Sequence, residues 1–280
     1  MITRELINDF LDWLQKERSS SNSTRNIRLA AIHSFAAYLQ DEGIDNMCES
    51  QRIMAIKYKK QEQKSISYLS VEGIKLILKQ PDITTEKGRR DVIMISLMYD
   101  SGARVQEIID LTPSAINIQK HSSIKITGKG NKTRLVPLID SQVKNLVSYM
   151  KENKLYNPEN NESPMFNNGR NEKLTRAGVS HIIKKYTDMA RVENPKIIPN
   201  KITPHSFRHS KAMHLLQAGV PLIYIRDILG HVSVQTTEIY ARIDTKHKFE
   251  IMQKAYVDII PNEEKPKWKN DDILTWLKSF

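Results

Sequence analysis

Apolar residues recur along much of the chain at spacings of three and four positions, the pattern of helices that pack one side against a core. The pattern predicts helices over residues 2–17, from Ser23 to about Glu42, from Ser70 to Leu78, and over 88–100, 141–152 and 175–191. The apolar side of the first helix consists of Leu6, Ile7, Phe10, Leu11, Trp13 and Leu14. That of the second consists of Ile27, Ala31, Phe35, Ala36 and Leu39.

One segment alternates instead of following the helical period. Residues 123–127 read S-I-K-I-T, a G-K-G-N turn follows, and K-T-R-L-V-P-L returns, which predicts a β-hairpin. The fold class is therefore mainly α with a small β-sheet or hairpin (α+β).

Residues 203–243 contain three helices with their boundary residues. Thr203 is a suitable N-cap, Pro204 fits the first helical position, and Gly219 ends this helix. Pro221 opens the second helix, which ends at Gly230. Ser233 can cap a third helix, which carries Ile239 and Tyr240.

Composition divides the chain and limits its class. The charged, non-periodic residues 57–64 form a linker between a short helical domain at 1–56 and a larger domain at 65–262, which a tail at 263–280 follows. The single cysteine, Cys48, excludes an intrachain disulfide. The sequence has no apolar run of membrane-spanning length and no signal-peptide core, so we expect a cytoplasmic protein without a membrane partner.

The positive charge is concentrated in the larger domain. The net charge is +11, and residues 65–262 hold 29 Lys and Arg against 19 Asp and Glu. Such a surface favours a polyanionic partner, although ordinary solvated surfaces can also be basic.

Four polar residues of the segment 203–243 are candidates for phosphate chemistry. His205 and Arg208 share a face in the first turn of a helix, where free N–H groups and the helix dipole favour an anion. The Arg fork suits two phosphate oxygens, and a tyrosine on a following helix could attack the phosphorus. Taken singly, these residues also fit a capped helix start and a core aromatic. His205, His209 and His214 lack the neighbouring carboxylate or thiolate that a metal site needs, so we expect no metal.

The motifs H-S-F-R-H, L-G-H and T-T-E-I-Y-A-R resemble the C-terminal signature of the tyrosine recombinases, the phage-integrase-type family, in both order and spacing. Two further segments match that family upstream. S-G-A-R-V-Q-E-I-I-D-L contains Arg104 and, one turn on, Glu107, which can hold Arg104 in place, with Ser101 and Ile108 replacing the family's Thr and Leu. Lys129, in the hairpin turn, matches the family's β-hairpin lysine. The glycines around it do not form a P-loop, since that pattern needs G-x-x-x-x-G-K-[ST] before a helix.

The resemblance implies a site-specific DNA recombinase, of the kind found in mobile elements, that needs no cofactor. Tyr240 would attack the scissile phosphate of double-stranded DNA and form a 3′-phosphotyrosine, and Arg104 and Arg208 would bind the non-bridging oxygens. Lys129 would protonate the leaving 5′-oxygen, His205 would assist proton removal from Tyr240, and His231 would hydrogen-bond the phosphate. The family acts as a homotetramer that passes through a Holliday junction.

Other basic residues are candidates for DNA contacts outside this site. Arg25 and Arg28 lie near the start of the second helix, and Lys132 and Arg134 lie on the returning strand. The family's N-terminal DNA-clamping domain, of SAM-like type, usually has four or more helices. Only two or three fit before residue 57, so we expect a short or incomplete version.

The tail is predicted to contain a helix at 270–280 that is too short to be stable alone. Similar tails in the family pack on a neighbouring protomer, although this helix could also dock on its own domain. Two other functions are compatible with parts of the sequence. A type IB topoisomerase shares the chemistry but acts as a monomer, and a non-catalytic DNA-binding protein would explain only the charge and the helices.

Overall fold

The computed structural model describes residues 2–42, 47–60, 67–128, 130–170, 172–231 and 233–243. Contacts between Cα atoms divide the chain into two compact units, residues 1–65 and 66–280. Among the described helices, none is long and apolar enough to cross a membrane.

The first unit is helical. It contains α1 (Arg4–Lys16), α2 (Asn22–Glu42) and α3 (Met47–Met54). The Thr3 side chain caps α1 by accepting a hydrogen bond from Leu6 N at 3.3 Å. The buried core of the unit consists of Ile7, Leu11, Leu14, Leu29, Ala36, Ile53 and Ile56.

The predicted apolar sides of these helices were partly wrong. On α1, Phe10 and Trp13 are 39% and 46% exposed, and on α2, Ile27 and Phe35 are 66% and 48% exposed. The core of α2 includes Leu29, which the pattern did not assign to it. The physical reason is that three helices cover each other along narrow stripes, so an apolar face wider than one stripe stays partly in water.

The predicted linker begins with four residues that pack along α2. The side chain of Asn26 accepts a hydrogen bond from Lys59 N at 3.0 Å and donates one to Lys59 O at 2.8 Å. Asn22 donates to Lys60 O at 3.0 Å. Residues 57–60 are therefore fixed to the first unit, whereas 61–64 lie outside the described residues.

The second unit surrounds one buried helix. Its first helices are α4 (Val71–Lys79), α5 (Glu86–Ser101) and α6 (Val105–Ile109), and two longer helices follow the sheet, α7 (Asp140–Glu152) and α8 (Arg176–Glu193). The Ser70 side chain caps α4 by accepting a hydrogen bond from Gly73 N at 3.1 Å. Within the core, α5 contributes Met94, Ile95, Leu97 and Met98.

The hairpin is part of a three-stranded antiparallel sheet in the order β1 (Ile116–Asn117), β2 (Ser123–Thr127) and β3 (Thr133–Pro137). On β2, Ile124 and Ile126 are buried while Lys125 and Thr127 are exposed, as strand alternation requires. Ile126 pairs with Arg134 of β3. The fold class predicted from the sequence is thus confirmed.

Three helices complete the described part of this unit, α9 (Pro204–Gln217), α10 (Leu222–Leu229) and α11 (Gln235–Ile243). Thr203 caps α9 with Pro204 at the first position, as predicted. Pro221 is the N-cap of α10 instead of its first residue. Residues 244–280, which include the predicted helix at 270–280, lie outside the described residues.

Candidate active site

Arg208 lies at the centre of the site, in the first turns of α9, and is 4% exposed. Its Nη1 donates to the carbonyl oxygen of Gly102 at 2.7 Å, and its Nη2 donates to that of Leu229 at 2.6 Å. Gly102 precedes α6 and Leu229 ends α10, so one guanidinium joins three segments that are far apart in the sequence. Burial, aided by the charges of Arg104 and Arg134, lowers the pKa of Arg208 to about 10, which still leaves it charged at neutral pH.

Arg104 is held by Glu107, and the contact that their spacing predicted is present. Glu107 Oε2 accepts a hydrogen bond from Arg104 N at 2.8 Å, and Oε1 accepts one from Arg104 Nη1 at 2.8 Å. The Arg104 side chain remains 38% exposed. A fixed but accessible guanidinium can bind a phosphate oxygen from solvent.

Arg134 has a different position from the DNA-facing one that the sequence suggested. Its Nη1 and Nη2 donate to the carboxylate of Glu107 at 3.2 and 2.8 Å, and its Nε donates to Ile228 O at 2.8 Å. Arg134 pairs with the buried Ile126, and directly paired residues share a face of the sheet. Its side chain therefore points into the domain and connects β3 to α6 and α10.

Glu107 consequently joins two arginines. Burial on its own raises the pKa of this carboxyl, but the hydrogen bonds from Arg134 and Arg104 outweigh burial and hold its pKa below the ordinary value. The carboxylate is charged at neutral pH and fixes both guanidinium groups.

His231 follows Gly230, which ends α10 in the left-handed conformation at φ +66°. Its Nδ1 lies 2.9 Å from the hydroxyl oxygen of Thr237 on α11. Burial, and then the positive charges of Arg208 and Arg104, lower the pKa of His231 to about 4. The ring is neutral at neutral pH, and its Nε2 is the atom left for a ligand.

Tyr240 belongs to the buried cluster between α9, α10 and α11 and is 2% exposed. Its hydroxyl oxygen lies 2.8 Å from Nδ1 of His209. Burial raises the pKa of Tyr240, and the nearby charge of Arg208 opposes that rise. The hydroxyl is thus protonated in the resting protein.

His205 is exposed at the start of α9. Its ring centroid lies 6.4 Å from that of His209. Partial burial and the charges of Arg208 and Arg104 lower the pKa of His205. Among the described contacts, the Tyr240 hydroxyl meets His209 and not His205.

The other predicted residues are placed as follows. Lys129, which the sequence places between Gly128 and Gly130, lies outside the described residues. Lys132 is exposed near that tip. In the first unit, Arg28 is exposed, whereas Arg25 is 6% exposed and its Nη1 lies 3.4 Å from both Asn26 Oδ1 and Lys57 O. A buried Arg25 presents no guanidinium to an external anion.

Sequence reasoning missed the contacts made by His209, Thr237 and Arg134. The partners of His209 and Arg134 lie 31 and 27 or more residues away, so no local spacing could reveal them. Within the described part of the chain, no group of three His, Cys, Asp or Glu residues is placed to hold a metal ion.

Comparisons with known proteins agree on one family. Residues 67–247 match the phage integrase family. The chain is 30% identical over 243 residues to tyrosine recombinase XerC of Thermodesulfovibrio yellowstonii, covering 85% of this chain and 77% of the relative. It is 32% identical over 250 residues to tyrosine recombinase XerA of Pyrococcus horikoshii, covering 88% and 79%.

A solved structure has the same fold. The XerH site-specific recombinase, crystallised with a palindromic difH substrate in a post-cleavage complex, superposes with a TM-score of 0.71. The match is 23% identical and covers 91% of this chain and 72% of that chain. At this level of identity the likeness establishes the fold.

Proposed function

The chain belongs to the phage integrase family and is a tyrosine recombinase, and from this premise we propose how its residues cut and rejoin DNA strands. The substrate is double-stranded DNA with specific recombination sites. Tyr240 attacks the scissile phosphate, the bond from phosphorus to the 5′-oxygen breaks, and a 3′-phosphotyrosine and a free 5′-hydroxyl result. The energy of the phosphodiester stays in the covalent link, so a second strand can be joined without ATP.

The arginines supply the phosphate site. Two of the five N–H groups of Arg208 are used on backbone carbonyls, and the other three are available to non-bridging oxygens. Arg104 provides a second, partly exposed guanidinium, and both charges stabilise the transition state. His231 adds a hydrogen bond from Nε2 when its Nδ1 accepts from Thr237.

One observation carries this proposal. The hydrogen bonds from Arg208 to Gly102 and Leu229 support a common phosphate site, because they draw together the segments that contain Arg104 and His231. The contact between the Tyr240 hydroxyl and His209 supports a placement of the nucleophile beside the same helix. Lys129 is assigned to the leaving-group proton through its motif, and the motif alone suggests His205 for assistance in removing the proton of Tyr240.

We propose the assembly on DNA by resemblance to the family. Four copies hold two DNA sites, pass through a Holliday junction, and exchange strands in pairs. Residues 1–56 bind DNA, with Arg28 at the surface of the first unit for phosphate contacts. Residues 270–280 pack on a neighbouring protomer and link the four active sites.

The test of the nucleophile is a Tyr240→Phe variant on a nicked duplex that carries a recombination site, to be identified by sequencing the DNA that flanks the gene for inverted repeats. The wild-type chain should give a covalent protein–DNA adduct in a denaturing gel. The variant should bind the duplex equally well in a native gel and give no adduct, because it lacks the attacking oxygen. An adduct that persists in Tyr240→Phe would refute the assignment, and relaxation of a plasmid without the site would favour the topoisomerase alternative.

A further inference from the structure

The hydroxyl of Tyr240 has a histidine partner that the family motifs do not assign. His209 Nδ1 lies 2.8 Å from the phenolic oxygen, and the ring centroids are 5.7 Å apart. Among the described residues, His209 is the one hydrogen-bond partner of this hydroxyl. The contact joins α9 to α11, between a half-buried histidine and a tyrosine that is 2% exposed.

The protonation states of the two rings allow the Tyr240 hydroxyl to donate a hydrogen bond and His209 to accept it. Burial, followed by the charges of His205 and Arg208, lowers the pKa of His209, so its ring is neutral at neutral pH. Burial raises the pKa of Tyr240, so the phenol keeps its proton. A neutral imidazole protonated at Nε2 accepts at Nδ1, and the phenol donates to it.

We propose that His209 is the base that takes the proton of Tyr240 as the phenolic oxygen attacks DNA, an inference that rests on the proposed function. In the forward step the proton passes from Tyr240 to His209 Nδ1 while the new bond from oxygen to phosphorus forms. The bond to the 5′-oxygen breaks, and that oxygen takes its proton from Lys129. In the rejoining step His209 returns the proton to the departing phenolate.

The charges around His209 make its basicity depend on DNA. Without DNA, burial and then the charges of His205 and Arg208 lower the pKa of His209, and the repulsion from Arg208 is uncompensated. A phosphate bound by Arg208 and Arg104 brings negative charge and offsets that repulsion. The base is therefore weak until a phosphodiester is in place, which protects the free enzyme from forming a phenolate in water.

His205 does not fill this role, because it lies at the surface and its ring meets His209 at 6.4 Å. Among the described contacts, the Tyr240 hydroxyl has a hydrogen-bonding contact with His209, and His205 neighbours His209. The motif alone suggested that His205 assists proton removal from Tyr240. In this proposal His205 is instead a neighbour of the base and of the phosphate.

The chain contains a matched control on the same helix. His214 Nδ1 lies 2.8 Å from the hydroxyl oxygen of Tyr99, a second pair of histidine and tyrosine with the same atoms and distance. Burial likewise lowers the pKa of His214 and raises that of Tyr99. No proposed step involves this pair.

The experiment compares His209→Asn with His214→Asn on the nicked duplex described above. Asparagine can place its amide oxygen near the position of Nδ1 and accept the hydrogen bond, but it cannot take a proton. The rate of adduct formation should fall on the order of a hundredfold to ten-thousandfold in His209→Asn, the usual effect of a lost general base. The rate of adduct formation should change less than about threefold in His214→Asn. Both variants should bind DNA like the wild type and should have similar Tm values.

The pH profile separates a base from a purely structural hydrogen bond. In the wild type the rate of adduct formation should fall at acid pH as His209 becomes protonated, which gives the pH profile an acid limb. The profile of His209→Asn should lack this limb, and its rate should rise steadily with pH. His205→Asn should keep the limb even where its rate is lower. If His209→Asn forms the adduct at the wild-type rate, the inference about His209 is wrong. The proposed function is tested separately, and it holds as long as Tyr240→Phe forms no adduct.

A second measurement leaves position 209 intact, which matters if His209→Asn does not fold. Replacing Tyr240 by 3-fluorotyrosine lowers the pKa of the phenol. If His209 is the base, the acid limb should stay at the pH of the wild-type limb. A limb that moves down with the phenol would show that Tyr240 ionises without a base and would refute the inference.

Discussion

At the scale of single residues, the site is a group of cations fixed by one carboxylate and several backbone oxygens. Glu107 binds Arg104 and Arg134, while Arg208 binds two carbonyl oxygens. Burying a cation without a charged partner is costly, and a phosphate bound at the proposed site would offset that cost for Arg208. Burial, and then the charges of the three arginines, lower the pKa of His231 and keep it neutral.

The neutral state of His231 gives a prediction about stability and pH. Its pKa is about 4 in the folded protein and near 6.5 when unfolded, so between these values the unfolded chain binds more protons. The free energy of unfolding should therefore fall as the pH is lowered from about 6.5 to 4. Urea unfolding at several pH values should show this slope, and His231→Gln should reduce it.

His231→Gln should not abolish the slope, because the pKa values of His205, His209 and His214 are also lowered. Relative to the wild type, the variant should become more stable as the pH is lowered from 8 to 5. An unchanged slope in His231→Gln would mean that this ring titrates normally in the folded protein, contrary to the geometry.

At the scale of elements, the turn after α10 is where the sheet meets the phosphate site. Gly230 has φ +66°, and a Cβ atom there would lie 2.9 Å from Arg134 Cδ. Arg134 in turn donates to Ile228 O, near the end of α10. A side chain at position 230 would therefore strain the backbone and also displace the arginine that holds Glu107.

We expect Gly230→Ala to destabilise the protein more than Gly219→Ala does. Gly219 also has a positive φ, +81°, but a Cβ atom there meets nothing within 4 Å. The Gly219 variant should lose on the order of 1 kcal/mol from backbone strain alone. The Gly230 variant should add to that loss and should also slow adduct formation, while Gly219→Ala should not.

Urea unfolding and the nicked-duplex assay measure both effects. Equal losses of stability and equal cleavage rates in the two glycine variants would show that Arg134 moves aside freely. The contacts that connect β3 through Arg134 to the proposed phosphate site would then contribute neither to stability nor to the rate of cleavage.

At the scale of the whole molecule, the proposed tetramer depends on the tail. Ile273, Leu274, Trp276, Leu277 and Phe280 lie on one side of the helix that the sequence predicts at 270–280. Each large apolar side chain contributes roughly 1.5–3 kcal/mol when fully buried, before the cost of ordering the tail. Such a segment is suited to join protomers.

Deletion of residues 265–280 should leave binding to a single DNA site intact and abolish the pairing of two sites and recombination. Native gels with one-site and two-site DNA measure the two activities separately. A truncated chain that still assembles two-site complexes would show that the tail docks on its own domain, and the proposed packing between protomers would be wrong.

The sequence by itself determined most of the helices, the hairpin, the caps of α4 and α9, and the motif residues of the family. These depend on neighbours a few positions apart, such as the capping of α4 by Ser70 and the contact between Arg104 and Glu107. Only the tertiary structure decided which sides of α1 and α2 are buried, that Arg134 binds Glu107 and that Arg25 points inward. The tertiary structure also decided the partner of Tyr240. His209 and Tyr240 lie 31 residues apart and meet only because α9 and α11 pack together.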